Sequence, residues 1–128
     1  MKLFASIFLL LAIATSGYSQ TYQPSTSTNK IYLETIKGLS YSYKNGIVTL
    51  KNRGHYDLGT VSIIAKSTTA PSLFGIALFE DGVKKNRDYS AKVYFTEDNG
   101  KTTTEVPLNK IDEKSLIFSF DKATRAQH

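Results

Sequence analysis

Residues 39–52, Leu-Ser-Tyr-Ser-Tyr-Lys-Asn-Gly-Ile-Val-Thr-Leu-Lys-Asn, alternate apolar and polar side chains on both sides of Asn45-Gly46. That dipeptide suits a two-residue type I′ turn, because both central positions need positive φ and Asn and Gly adopt it at least cost. Closing the chain there predicts the partners Lys44 with Ile47, Tyr43 with Val48, Ser42 with Thr49 and Tyr41 with Leu50. In that register Tyr41, Tyr43, Val48 and Leu50 share one face, while Ser42, Lys44 and Thr49 share the other. Register and amphipathicity agree, so the stretch reads as a hairpin with one buried side.

Period-two alternation continues outward from it, and no long stretch repeats its apolar residues at helical spacing. Residues 30–36 read as a strand, as do residues 60–66 with Val61, Ile63 and Ala65 on one face, and residues 115–120 with Leu116, Phe118 and Phe120 on one face. Residues 73–80 form a nearly continuous apolar run, compatible with a short helix or with a strand buried on both faces, and the strand is preferred. Residues 91–106 predict a second hairpin with Asn99-Gly100 at its tip, facing Asp98 with Lys101, Phe95 with Thr104 and Val93 with Val106. Pro107 ends it, having no N–H to give to a ladder. Further turn signals fall at Asn52-Arg53-Gly54, Asp81-Gly82 and Asp112-Glu113. About seven or eight short strands at this spacing indicate an all-β fold, an antiparallel β-sandwich. A membrane barrel needs spanning strands of about 9 to 11 residues, longer than those read here.

The chain starts differently. Lys2 precedes an apolar stretch, residues 3–14, that is shorter than the roughly 20 residues a membrane helix needs, and small and polar residues follow. Residues 1–19 therefore read as a signal peptide cut after Ser19, with Gly17 and Ser19 as the small recognition residues. The protein is expected to be exported, periplasmic or extracellular, and not embedded in a membrane after cleavage. Residues 20–29, with Pro24 and a Ser-Thr alternation, read as a flexible N-terminal segment, residues 30–121 as the β-sandwich domain and residues 122–128 as a flexible tail. The chain has no cysteine, so packing alone must hold the fold.

Of the 128 residues, sixteen are Lys or Arg and eleven Asp or Glu, a net charge of +5 that loses one unit with Lys2. The densest basic group, Lys84, Lys85 and Arg87, is flanked by Glu80, Asp81 and Asp88, so the one-sided footprint of a nucleic-acid binder is missing. No cofactor is implied by any motif. With no thiolate and only His55 and His128 as imidazoles, the usual zinc ligand sets cannot be filled. Neither 97–100 nor 80–82 spaces its acids as an EF-hand loop does, so no calcium site is expected. His55 with Asp57 is the only sequence-local pair of base and acid, and no Gly-x-Ser-x-Gly nucleophile accompanies it. No catalytic residue is assigned.

Residues 46–63, Gly-Ile-Val-Thr-Leu-Lys-Asn-Arg-Gly-His-Tyr-Asp-Leu-Gly-Thr-Val-Ser-Ile, resemble the core segment of bacterial immunoglobulin-like domains of exported, adhesion-related proteins. In that family a strand ends in Asn-x-Gly before a polar turn, matched here by Asn52, Arg53 and Gly54. The resemblance implies an immunoglobulin-like sandwich with a role in binding or assembly and assigns no functional residue. Binding residues concentrate on loops held by a rigid scaffold, which singles out Arg53, His55, Tyr56 and Asp57, with Tyr56 foremost. The function expected is that of a non-catalytic binding or structural module of the bacterial envelope or secretome, with a protein or glycan partner. The competing reading is a small secreted enzyme inhibitor or hydrolase.

Overall fold

Asn45 and Gly46 both carry positive φ, 49° and 83°, and the strands they join pair in the expected register, from Tyr41 opposite Leu50 to Lys44 opposite Ile47. A computed structural model describes residues 19–21 and 29–126. Its strands are β1 (Ser19–Thr21), β2 (Leu39–Lys44), β3 (Ile47–Asn52), β4 (Leu58–Ser67), β5 (Leu73–Phe79), β6 (Arg87–Lys92), β7 (Tyr94–Asp98), β8 (Thr103–Glu105) and β9 (Leu116–Arg125), with an α-helix, α1 (Lys30–Ile36), and two single 3-10 turns, Leu108–Lys110 and Glu113–Ser115. They form two antiparallel sheets, ordered β1-β2-β3-β6 and β8-β7-β5-β4-β9. The fold is all-β and sandwich-like.

The facing sides of the sheets supply the core. Tyr41, Tyr43, Val48 and Leu50 are buried on the first sheet, and Val61, Ile63, Ala65 and Phe118 on the second. Aromatic rings cross the gap: Tyr43 lies 4.7 Å from Phe118, and Tyr41 meets Phe120 edge-on at 5.2 Å. Such pairs add about 0.5–1.5 kcal/mol each beyond the area they bury.

Five expectations need correction. Residues 30–36 are helical, not a strand. Asn29 caps the helix, its side chain accepting the Tyr32 N–H at 3.1 Å, and Tyr32, Leu33 and Ile36 pack on the core at helical spacing. Alternation would have turned Ile31 inward, yet Ile31 is 75% exposed. The 91–98 segment is divided at Val93: β6 pairs with β3 as far as Lys92, and β7 pairs with β5 from Tyr94, so the chain changes sheets there. Val93 is buried between the layers, which keeps the inward alternation of Ala91, Val93 and Phe95 unbroken and hides the crossing.

The second hairpin closes with a longer loop than expected. Asp98 faces Thr103, not Lys101, because the Asn99 side chain gathers the N–H groups of Lys101 and Thr102 and holds residues 99–102 as the connection. The shift is by two residues, so the faces are unchanged, and Val106 donates its N–H to the Phe95 carbonyl. Finally, residues 122–125 belong to β9 and not to a tail. Ala123 is buried and Arg125 stands opposite Leu58. At the other end of the chain β1 pairs Gln20 with Tyr43, so the expected lead-in begins on a sheet edge, and the cut expected after Ser19 would fall inside β1. Residues 1–18 of the expected signal peptide, residues 22–28 of the expected lead-in and residues 127–128 of the expected tail lie outside the described residues. Among the described residues no helix is long and apolar enough to cross a membrane.

Candidate functional site

Asn52 builds the loop that follows β3. It is buried, and its side-chain amide donates to the carbonyls of Tyr56 and Val83, at 2.9 and 3.1 Å, while its Oδ1 accepts the Gly54 N–H at 2.9 Å. One side chain thus satisfies three backbone groups and fixes the turn from 53 to 57 against the 80–86 loop. Gly54 is needed for the approach of the helix end: a Cβ there would sit 2.4 Å from the Lys37 carbonyl oxygen. The Asn-x-Gly signature is therefore a packing device.

On this frame the side chains of 53–57 separate. Arg53 turns to Asp88, pairing with its carboxylate at 2.9 Å with both groups about half exposed (52% and 47%). An exposed pair of this kind contributes under about 1 kcal/mol. His55, Tyr56 and Asp57 instead line an open depression of about 410 Å³ together with Lys85, Arg125 and Ala126. The Arg125 guanidinium carbon lies over the Tyr56 ring, 3.6 Å from its centroid, a cation–π contact that holds the group in place. Asp57 works structurally: its Oδ1 accepts the Lys85 N–H at 3.0 Å and its carbonyl accepts the Ala126 N–H at 2.9 Å. With its carboxylate so engaged, Asp57 is not aimed at the exposed His55 imidazole as a catalytic orienter would be.

Three of the four expected residues thus come together, and Arg53 stands outside. Lys85 and Arg125 were missed, one read as part of a balanced charge cluster and the other as tail. Only the pairing of β9 with β4 brings Arg125 to Tyr56, and no local pattern announces it. Among the described residues no group of three or more His, Cys, Asp or Glu could hold a metal ion.

A second cavity, of about 480 Å³, lies at the opposite end, between the β4–β5 turn and the 104–115 connection. Its hydroxyls are engaged in closing the fold: Ser67 and Ser115 bond each other at 2.8 Å, and Ser67 also accepts the Ala70 N–H. The depression at Tyr56 is the better candidate, since Arg125 and Lys85 have no carboxylate partner among the described residues. Compared with family models, curated proteins and solved structures, the chain matches none.

Proposed function

We propose that the protein is an exported, non-catalytic binding or structural module of a bacterial envelope or secretome, docking an acidic group of a protein or glycan at the Tyr56 depression. The observation that carries this is the Arg125 guanidinium held over Tyr56, with Lys85 lining the same depression. A planar guanidinium held in place presents its N–H edge to a carboxylate at little further entropic cost. Export is supported by Lys2 and the short apolar stretch behind it. The immunoglobulin-like reading is supported by strand order: β2-β3-β6 opposite β8-β7-β5 follows, in chain order, the A-B-E and G-F-C arrangement, with β1, β4 and β9 as added strands and no counterpart of D among the described residues.

Pull-down from an envelope extract and a glycan array, each with the native protein and with Arg125→Ala and Lys85→Ala, test the proposal. A partner held by the native protein and released more readily as salt rises, with about tenfold weaker binding for either variant, is expected. Capture undiminished in both variants would move the site elsewhere. Turnover in an activity screen that disappears in His55→Ala would overturn the non-catalytic reading.

A further inference from the structure

The outer face of the five-stranded sheet is apolar where solvent should meet polar groups. Ile76 on β5 stands between Ile64 on β4 and Tyr94 on β7; Phe74 and Ile117 flank Lys66; Leu78 faces Ser62. Tyr94 and Ile117 are 52% and 54% exposed, and Leu78 44%. The run at 73–80 carries apolar residues for two faces, while the fold covers only the one bearing Leu73, Ala77 and Phe79. A contiguous apolar patch of this kind has the size, about 300–600 Å², of the largest patch on a typical monomer, which is often functional.

We propose that this face is the contact of a weak, two-fold symmetric dimer of this chain. The charges at its margins select the partner and the axis. Lys66 lies on β4, and Glu105 lies on β8, opposite Thr96, which is in turn opposite Phe74, so cation and acid share one row on opposite sides of β5. Sheets packed face to face lie about 10 Å apart with strands within about 30°. A two-fold axis along β5 lays Phe74, Ile76 and Leu78 on their own counterparts and Tyr94 over Ile64. The same operation carries Lys66 of each copy to the side holding Glu105 of the other. An axis across the strands would keep cation over cation side and acid over acid side. The charges therefore favour the first operator and a second copy as occupant.

The widths of four strands, β9, β4, β5 and β7, by three residue pairs give a patch of about 400 Å² per copy, or about 800 Å² in total, below the roughly 1,200–2,000 Å² of a stable interface. The dimer is accordingly reversible and forms at high protein concentration. It leaves the Tyr56 depression, at the end of the sheets, open in both copies.

Sedimentation velocity of the purified protein from about 10 μM to about 1 mM reads the mass directly. A rise toward twice the monomer mass is expected, with Leu78→Glu weakening association more than about tenfold while circular dichroism and melting stay native, since that side chain is surface. Glu105→Lys should weaken the dimer about threefold to fivefold, and adding Lys66→Glu should restore it. A monomer at every concentration overturns the proposal, whatever else covers the face. Association that ignores Leu78→Glu, or a charge swap that restores nothing, overturns this interface.

Discussion

Tyr43 shows how much one side chain can decide. It comes from the predicted inner face of the first hairpin, is fully buried, and donates its hydroxyl to Glu113 Oε2 at 2.5 Å, tying the 106–115 connection over the β2–β3 turn. Burial first, and the Glu113 carboxylate second, push its phenol far above the ordinary value of 10.0. The unfolded chain then loses this proton at lower pH than the folded one, so the contribution is constant below pH 10 and falls as pH rises above it, by up to about 1.4 kcal/mol per pH unit. Thermal melting followed from neutral to alkaline pH should show this decline above pH 10, and Tyr43→Phe should lack its share of it. At neutral pH the same variant should lose about 1.5–3 kcal/mol, the worth of a hydrogen bond to a charged group. Gly46, beside it, holds φ at 83°, and a Cβ there would come within 3.0 Å of Leu108. Gly46→Val should therefore lower stability by about 2 kcal/mol or more, read as a melting temperature about 8 °C lower; unchanged melting would contradict the turn.

Among the elements, those whose register is set by neighbours in sequence were legible and those set by distant partners were not. The β2–β3 hairpin was readable because turn chemistry and alternation state the same register independently. Its test is a pair of substitutions one residue apart. Val48→Asp would bury an unpaired charge where no solvent reaches and should unfold the protein, whereas Thr49→Asp sits on the half-exposed face beside Ser90 and should cost under about 1 kcal/mol. Equal effects on melting would refute the face assignment. The helix α1 was misread because Ile31, Leu33 and Thr35 alternate like a strand, while the cue that decides, the Asn29 cap, lies just outside that window. A seven-residue helix gains little from propensity and forms because Leu33, Tyr32 and Ile36 find the core. The second hairpin was read with the right faces and a loop too short by two residues, since Asn99 can serve either as a turn residue with positive φ or, as here, as a side-chain acceptor.

At the scale of the whole molecule the last strand completes both the sandwich and the candidate site. The polar look of residues 122–125 hid a strand because the β4–β9 ladder shifts register twice, between Leu58 and Val61 and between Ser62 and Ile63, and the second shift leaves Asp121 as an extra residue on β9 that breaks the alternation after Phe120. Beyond the bulges Ala123 is still buried, Arg125 pairs with Leu58, and Ala126 closes on Asp57. The candidate site was half legible for the same reason. His55, Tyr56 and Asp57 are adjacent in sequence, whereas Arg125 reaches Tyr56 only once β9 has returned along β4. Removing residues 122–128 distinguishes a tail from a strand. Loss of a dispensable tail would leave melting unchanged, but loss of this segment removes the buried Ala123, uncovers Leu58 and takes the Ala126 N–H from the Asp57 carbonyl and the Thr124 hydroxyl from the Thr60 N–H, and a buried group costs about 1–3 kcal/mol when left unsatisfied. A fall of several kcal/mol in urea unfolding is expected, together with lost binding at the Tyr56 depression. Arg125→Ala in the full-length chain should lose that binding while keeping its stability within about 1 kcal/mol, because it removes one stacked cation and leaves every β9 backbone bond in place. A truncated chain as stable as the native one would mean that β4 needs no partner beyond Phe120.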